Sequence, residues 1–299
     1  MAGTFKRSPR SEAVRYTLKD FQKEFPTDDA VLEWLKDRFN PEGIHCPQCN
    51  KITGHSKLTN RRAYSCQICG HHYYPTASTI FHKSTTPLTY WMYAIFSMSK
   101  TRCGMSAKQL EREIGVTYKT AWRMFKQIRS MLDDGPSPFD GPVEVDEAYY
   151  GSKDEGGKRG RGAGGKSVMV GIADRDDSKI MVTILPDASA NSLTPFVSEN
   201  VEPQATVYTD EWAGYARLTR CGFNHERCSH ADGQYVIGNA HTNTIEGFWG
   251  LLKGGLTHVY RFVEPQYLQQ YANEYAFRYN HRNDPESLFK AFAHRIAKA

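Results

Sequence analysis

Three acidic side chains stand where the local pattern would aim them at a common point. Asp146 closes the apolar-acidic run Pro142-Val-Glu-Val-Asp146, and Asp210 closes Ala205-Thr-Val-Tyr-Thr-Asp210. Both runs read as strands. Glu246 lies in His241-Thr-Asn-Thr-Ile-Glu246-Gly-Phe-Trp-Gly-Leu-Leu-Lys253, which reads as a helix. Carboxylates are the natural ligands of Mg2+, which keeps some waters and binds phosphate oxygens. Two such ions roughly 4 Å apart can activate an attacking oxygen and stabilise a leaving one in a phosphodiester displacement. Lys253 follows Glu246 by seven residues, on nearly the same helix face, and could contact a phosphate near the metals. Asn243, one turn before Glu246, could orient it. Taken singly, an acidic residue at a strand end is usually a solvated turn. Glu147, Asp174, Asp176 and Asp177 are read that way.

A second chemistry is written in cysteine. Cys46-Pro-Gln-Cys49 and Cys66-Gln-Ile-Cys69 are two C-x-x-C pairs with 16 residues between them. Zn2+ prefers four ligands in a tetrahedron, and two C-x-x-C turns close such a site with no position left open for catalysis. The competing reading is a set of reduced thiols or a redox pair. Lys51, Lys57, Arg61 and Arg62 lie between the pairs, and Tyr64 and Tyr73 flank the second. A basic zinc ribbon of this kind can touch nucleic acid or be purely architectural. His71 and His72 read as surface residues rather than ligands, and Cys103, Cys221 and Cys228 as ordinary thiols.

Two further segments are basic. From Ser106 the chain reads as a short helix with Ala107, Leu110 and Ile114 on one face, a break at Gly115, and a second helix capped by Thr117. Ala121, Met124, Phe125 and Ile128 form the buried stripe of that second helix, leaving Lys119, Arg123 and Lys126 to point elsewhere. This matches a helix-turn-helix, in which the second helix enters the DNA major groove. Any pair of packed bundle helices would look similar. The other segment, Gly160-Arg-Gly-Ala-Gly-Gly-Lys-Ser167, satisfies the phosphate-loop pattern literally. That motif needs a strand before it and a helix after it. Here a charged stretch precedes and a β-like run follows, so the match is rejected. A basic hairpin is expected instead, with Lys158, Arg159, Arg161 and Lys166 available to a phosphate backbone.

The elements that must position these groups fall into four parts. Residues 1–40 form a helical leader, 41–82 a zinc ribbon, 87–134 a helical DNA-binding region and 139–299 a catalytic domain. The breaker cluster Asp133-Asp-Gly-Pro-Ser-Pro138 marks the last boundary. Beyond it come short β-branched runs at Val143–Val145, Val168–Ile172 and Ile180–Leu185. A helix at Asn191–Asn200, a strand at Thr206–Tyr208 and helices from Thr242 follow. That order implies an α/β fold, a mixed sheet covered by helices. Lys plus Arg is 38 against 33 Asp plus Glu, a net charge of +5 that fits a nucleic-acid partner without requiring one. The longest apolar stretch, near Tyr90–Met98, is too short to span a bilayer, and the basic N-terminus lacks a signal-peptide core. A cytoplasmic protein with no membrane association is expected.

At Val-Asp146-Glu-Ala-Tyr-Tyr-Gly, Tyr-Thr-Asp210-Glu-Trp-Ala-Gly-Tyr, His-Thr-Asn-Thr-Ile-Glu246-Gly-Phe-Trp-Gly-Leu-Leu-Lys253 and Glu274-Tyr-Ala-Phe-Arg278-Tyr-Asn, the chain resembles bacterial insertion-sequence transposases of the ISXO-like, zinc-ribbon-bearing type. The resemblance runs from about residue 28 onward. It implies an RNase H-like core, with Asp146, Asp210 and Glu246 as a DDE triad and Lys253 as the associated lysine. It implies two Mg2+ (or Mn2+) ions, cleavage at transposon ends by water, and attack of a free 3′-hydroxyl on target DNA. The partners would be double-stranded DNA, as terminal inverted repeats and as target, and a second copy of the chain on that DNA. Two alternatives share these features. One is an RNase H-like nuclease that hydrolyses without joining. The other is a non-catalytic DNA-binding regulator, natural only if one of the three carboxylates were missing.

Overall fold

Alternation in Val143–Tyr150 places Val143 and Val145 on one side of a strand and Glu144, Asp146 and Ala148 on the other. This strand sits in the middle of a five-stranded sheet. The computed structural model describes residues 15–135, 138–151, 166–177, 179–228 and 242–298, arranged in two compact units.

The first unit comprises the described residues of Met1–Thr101, Ala107–Met131 and Asn283–Ala299. It opens with α1 (Leu18–Glu24) and α2 (Asp28–Phe39). Thr17 caps α1 through a reciprocal box with Asp20, and Thr27 caps α2. A small β module follows: β1 (His45–Cys46) pairs with β2 (Lys51–Ile52), and β3 (His55–Lys57), β4 (Tyr64–Cys66) and β5 (His72–Tyr73) form a three-stranded antiparallel sheet. Next come α3 (Leu88–Lys100), α4 (Ala107–Ile114) and α5 (Tyr118–Arg129). The last helix of the chain, α9 (Leu288–His294), also belongs here. Phe289 stacks on Tyr16 and meets Phe21, Phe25 and Phe96 edge-on, so an aromatic cluster draws the C-terminus away from the domain in which the sequence reading had placed it.

The second unit comprises the described residues of Arg102–Ser106 and Leu132–Arg282. Its sheet contains β6 (Val143–Tyr150), β7 (Ser167–Asp174), β8 (Ile180–Leu185), β9 (Thr206–Thr209) and β10 (Asn224–Arg227) in the order β10-β9-β6-β7-β8. β7 runs antiparallel to both its neighbours, whereas β9 and β10 run parallel to β6. This is the RNase H-like arrangement. One face packs Val143, Val145, Val170 and Ile172 against Leu193 and Val197 of α6 (Ala190–Asn200) and against Tyr215. The other packs Ala148, Met169 and Ala173 against α7 (Asn243–Gly254) and α8 (Pro265–Asn280). Each layer removes several large side chains from water, at about 1.5–3 kcal/mol per fully buried residue. Among the described residues, no helix is long and apolar enough to cross a membrane.

Candidate active site and cysteine cluster

β6 and β9 lie side by side in parallel, with Val143 opposite Val207 and Glu144 opposite Tyr208. Asp146 and Asp210 each follow that pairing by two residues, and the Asp210 charge acts on the Asp146 carboxyl. Asp146 shares its face with Glu144 and Ala148, the side covered by α7. Burial pushes the Asp146 carboxyl up to about 7. The charges of Glu147 and Asp210 push the same way, while the Glu147 amide and the Trp249 indole pull it down. Trp249 Nε1 donates to Asp146 Oδ2 at 3.1 Å. Asp210 Oδ1 accepts the Trp212 amide at 2.9 Å, which turns the chain after the strand.

α7 carries Glu246 in its first turn and Lys253 in its last. Both side chains are exposed. The Thr242 hydroxyl donates to Glu246 Oε1 at 2.7 Å, a contact that the sequence reading had looked for from Asn243. The helix lies close to the sheet because Gly171, the β7 partner of Asp146, has no side chain. A Cβ there would stand 2.6 Å from Ile245 Cδ1 and 2.9 Å from Trp249 Cζ2. Asp210 and Glu246 also share a neighbour. Buried Cys228 feels both of them as well as Glu144, and its thiol is pushed up, first by burial.

Several side chains that the sequence reading passed over surround the site, on both faces of the sheet. Glu144 is fully buried. It accepts from Thr244 N at 2.8 Å, Ile245 N at 3.1 Å, Thr244 Oγ1 at 3.1 Å and Arg175 Nε at 3.0 Å. Arg175 in turn lies 3.7 Å from the centre of the Tyr208 ring. On β10, burial and Arg227 hold His225 down to about 4, so the ring is neutral. Its Nε2 lies 2.9 Å from Thr209 Oγ1, whose proton goes to the Asp210 carbonyl oxygen at 2.7 Å. His225 must therefore carry its proton on Nε2 and donate it. The one sequence signal for this set was Glu144, two residues before Asp146 and hence on the same face.

Two acids read as solvated turns are buried. Glu147 is 8% exposed and its Oε2 accepts from Tyr215 OH at 2.8 Å, because its position on β6 points into the α6 side of the core. Asp174 is 5% exposed and its Oδ1 accepts the amides of Asp176 and Asp177 at 2.7 and 2.8 Å, closing the turn after β7.

The cysteines converge. Cys46 and Cys49 flank the turn between β1 and β2, and Cys66 and Cys69 the turn between β4 and β5. Each C-x-x-C is followed by a left-handed residue, Asn50 at φ 50° and Gly70 at φ 75°, which folds the knuckle back. The Cys46–Cys69 sulfurs are 3.5 Å apart and the Cys49–Cys66 sulfurs 3.9 Å. Sulfurs at about 2.3 Å from a tetrahedral Zn2+ stand about 3.8 Å from one another, so the cluster fits the ion. Thr53 Oγ1, 3.2 Å from Cys66 Sγ, and the Cys69 and Ile68 amides hold that thiol down to about 5, favouring the thiolate that a metal needs. His71 and His72 stand outside the cluster. Of the ribbon's basic residues, Lys57 pairs with Asp29, and Arg62 with Asp28 at 3.0 Å, on the first turn of α2.

α4 and α5 are joined through Gly115 at φ 69°, with Thr117 accepting the Thr120 amide at the start of α5. Ala121, Met124, Phe125 and Ile128 are buried, while Lys119 and Arg123 are exposed and Lys126 half-buried. Arg123 reaches Ser84 Oγ at 3.3 Å and the Trp91 ring, and Lys126 sits 5.4 Å from the Trp122 ring centre. Lys166 leads into β7; Lys158, Arg159 and Arg161 lie outside the described residues.

Comparison with known proteins follows the same division of the chain. The ISXO2-like transposase domain family matches residues 138–280, and the transposase zinc-ribbon domain family matches residues 26–72. A protein in transposable element ISH50 of Halobacterium salinarum is 28% identical over 253 residues, which is 79% of this chain and 85% of that relative. A transposase-like protein of Haemophilus influenzae is 27% identical over 104 residues, 34% of this chain and 81% of its own length. A chain from the cryo-EM structure of a simian T-cell lymphotropic virus intasome with PP2A regulatory subunit B56 gamma is 14% identical, with a TM-score of 0.30, covering 60% of this chain and 66% of that one. The chain thus carries an ISXO2-like transposase domain behind a transposase zinc-ribbon domain.

Proposed function

We propose that this transposase cleaves DNA at transposon ends and joins the freed 3′ ends to target DNA, with Asp146, Asp210 and Glu246 as ligands of two divalent cations. The observation that carries the reading is Asp146 itself. Its carboxyl is half-buried beside the like charges of Glu147 and Asp210, with a raised proton affinity that a bound cation would relieve. An all-carboxylate donor set suits Mg2+ or Mn2+. Among the described residues, the four cysteines form the one group of three or more possible ligands whose atoms all lie within 4.8 Å of one another. The three carboxylates thus stand further apart than a single ion with ligands at about 2.1 Å would hold them. Two ions would accommodate that spacing, with Asp146, Asp210 and Glu246 as the side chains that would hold them. When bound, such ions would polarise the scissile phosphate and lower the pKa of an attacking water or 3′-hydroxyl.

The chain's own residues have separable tasks in this scheme. Trp249 orients Asp146 and shields it from water, and Thr242 steers Glu246. Lys253, exposed at the far end of α7, is available to a phosphate. The cysteine cluster holds a structural Zn2+. α4 and α5 act as a helix-turn-helix, with Lys119, Arg123 and Lys126 meeting double-stranded DNA, and Lys158, Arg159, Arg161 and Lys166 adding phosphate contacts. Two copies of the chain would pair the two element ends, in the cytoplasm.

The test uses the full chain, DNA bearing the element's ends, and Mg2+. Asp146→Asn should bind the ends as the parent does and lose cleavage and joining together. Joining by the variant at the parent rate would reject the reading. Cleavage by the parent without joining would instead indicate a nuclease.

A further inference from the structure

The first turn of every α-helix leaves amide groups without partners inside the helix. The residue just before the helix normally satisfies some of them with its own side chain. In α7 that residue, Thr242, makes no such bond, and its hydroxyl donates to Glu246 Oε1. The amides of Thr244 and Ile245 are taken instead by Glu144 Oε2, from a strand 100 residues earlier in the chain. Glu144 Oε1 takes the Thr244 hydroxyl and the Arg175 Nε–H.

The source of the cap matters. A cap from the adjacent residue travels with the helix, whereas a cap from the sheet pins the helix start to β6. Asp146 lies two residues along that strand from Glu144, and Glu246 lies one residue beyond Ile245. The Trp249–Asp146 bond supplies a second tether one turn later. These two attachments, with Gly171 as the seat, set both the height and the rotation of the first turn of α7 over the strand end. We infer that Glu144 is a positioning residue. It holds Glu246 at the separation from Asp146 and Asp210 that divalent-cation binding would require, without itself being a ligand. The inference rests on the proposed function and adds to it a determinant of cation affinity outside the ligand set.

Glu144→Gln tests this with almost no change in volume. One acceptor oxygen becomes an NH2 group, which must face either the two amides or Arg175 and the Thr244 hydroxyl. The expected result is a rise of about 10–100-fold in the Mn2+ concentration giving half-maximal end cleavage, with activity restored at high Mn2+. Mn2+ binding to the DNA-free protein, followed by electron paramagnetic resonance, should weaken by the same factor. End binding and zinc content should not change. A purely structural role for Glu144 would lower the melting temperature and leave the Mn2+ midpoint alone. Thr244→Val removes only the hydroxyl donor and should move the midpoint the same way by less, which keeps the inference testable if the glutamine variant does not fold. An unmoved midpoint in the folded Glu144→Gln protein, or in Thr244→Val if the former does not fold, would overturn it. Failure of the proposed function looks different: the parent would then show no Asp146-dependent Mn2+ binding at all.

Discussion

Removing the charge of Asp146 should stabilise the protein while destroying its activity. In the folded chain the carboxyl titrates near 7, raised chiefly by burial and further by Glu147 and Asp210. In the unfolded chain it titrates near 3.9. Below about pH 4 both states hold the proton and no penalty arises. Between about 4 and 7 the unfolded state releases the proton and the folded state keeps it, so stability falls by about 1.4 kcal/mol per pH unit. Above 7 the loss is complete, at most about 4 kcal/mol in the absence of divalent cations. Asp146→Asn keeps an oxygen for the Trp249 indole and removes the titration. Its amide NH2 must itself be desolvated, which leaves a gain of ~2–4 kcal/mol at pH 8. For a unit of this size that raises the melting temperature by roughly 5–10 °C. The assay is scanning calorimetry in buffer freed of Mg2+ and Mn2+ but not of zinc, from pH 4.5 to 8. The advantage of the variant should shrink steadily as pH falls, and Mn2+ should stabilise the parent but not the variant. A variant no more stable than the parent at pH 8, or an advantage that ignores pH, would refute the placement of this carboxyl in a half-buried, like-charged site.

Gly171→Ala should cost about 1–3 kcal/mol in urea unfolding, because its Cβ meets Ile245 and Trp249 at 2.6 and 2.9 Å, and cleavage should fall with it as α7 lifts from the sheet. Equal stability would mean that α7 does not pack where Gly171 lets it. Stripping zinc with a strong chelator should open residues 41–82 to protease, since metal binding there is folding energy; an unchanged digestion pattern would count against the metal. Lys119→Ala should weaken binding to all DNA sequences alike and reduce the salt-dependence slope by about one. A loss confined to the element's own ends would instead make Lys119 a reader of bases.

Much of the catalytic unit could be read from local pattern. β6, β7, β8 and β9 are runs of β-branched residues, and the α7 and α8 stretches carry apolar residues at helical spacing, so each announced its own type. β10 did not. Asn224-His-Glu-Arg has no apolar alternation, because as an edge strand it is held by backbone bonds to β9 and its side chains are mostly solvated. Glu147 and Asp174 were misread for a related reason. A carboxyl in a strand looks the same in sequence whether it meets water or the hydroxyl of Tyr215, a residue 68 positions later in the chain. The same limit hid the destination of Phe289, whose apolar character was plain but whose aromatic partners, from Tyr16 to Phe96, lie near the opposite end of the chain.

What the amino-acid order determined alone was chemistry carried by identity and short spacing. Two C-x-x-C pairs define a tetrahedral sulfur site whatever surrounds them, and three acids in strand-end and helix contexts define a candidate ligand set. Only the folded chain decided how those acids are held. The level pairing of β6 with β9, the close seat at Gly171 and the cap of α7 by Glu144 all join residues tens to a hundred positions apart. Side-chain type and periodicity report the local backbone, whereas strand register and helix seating depend on which distant surfaces fit together, and that is settled only when the whole core packs.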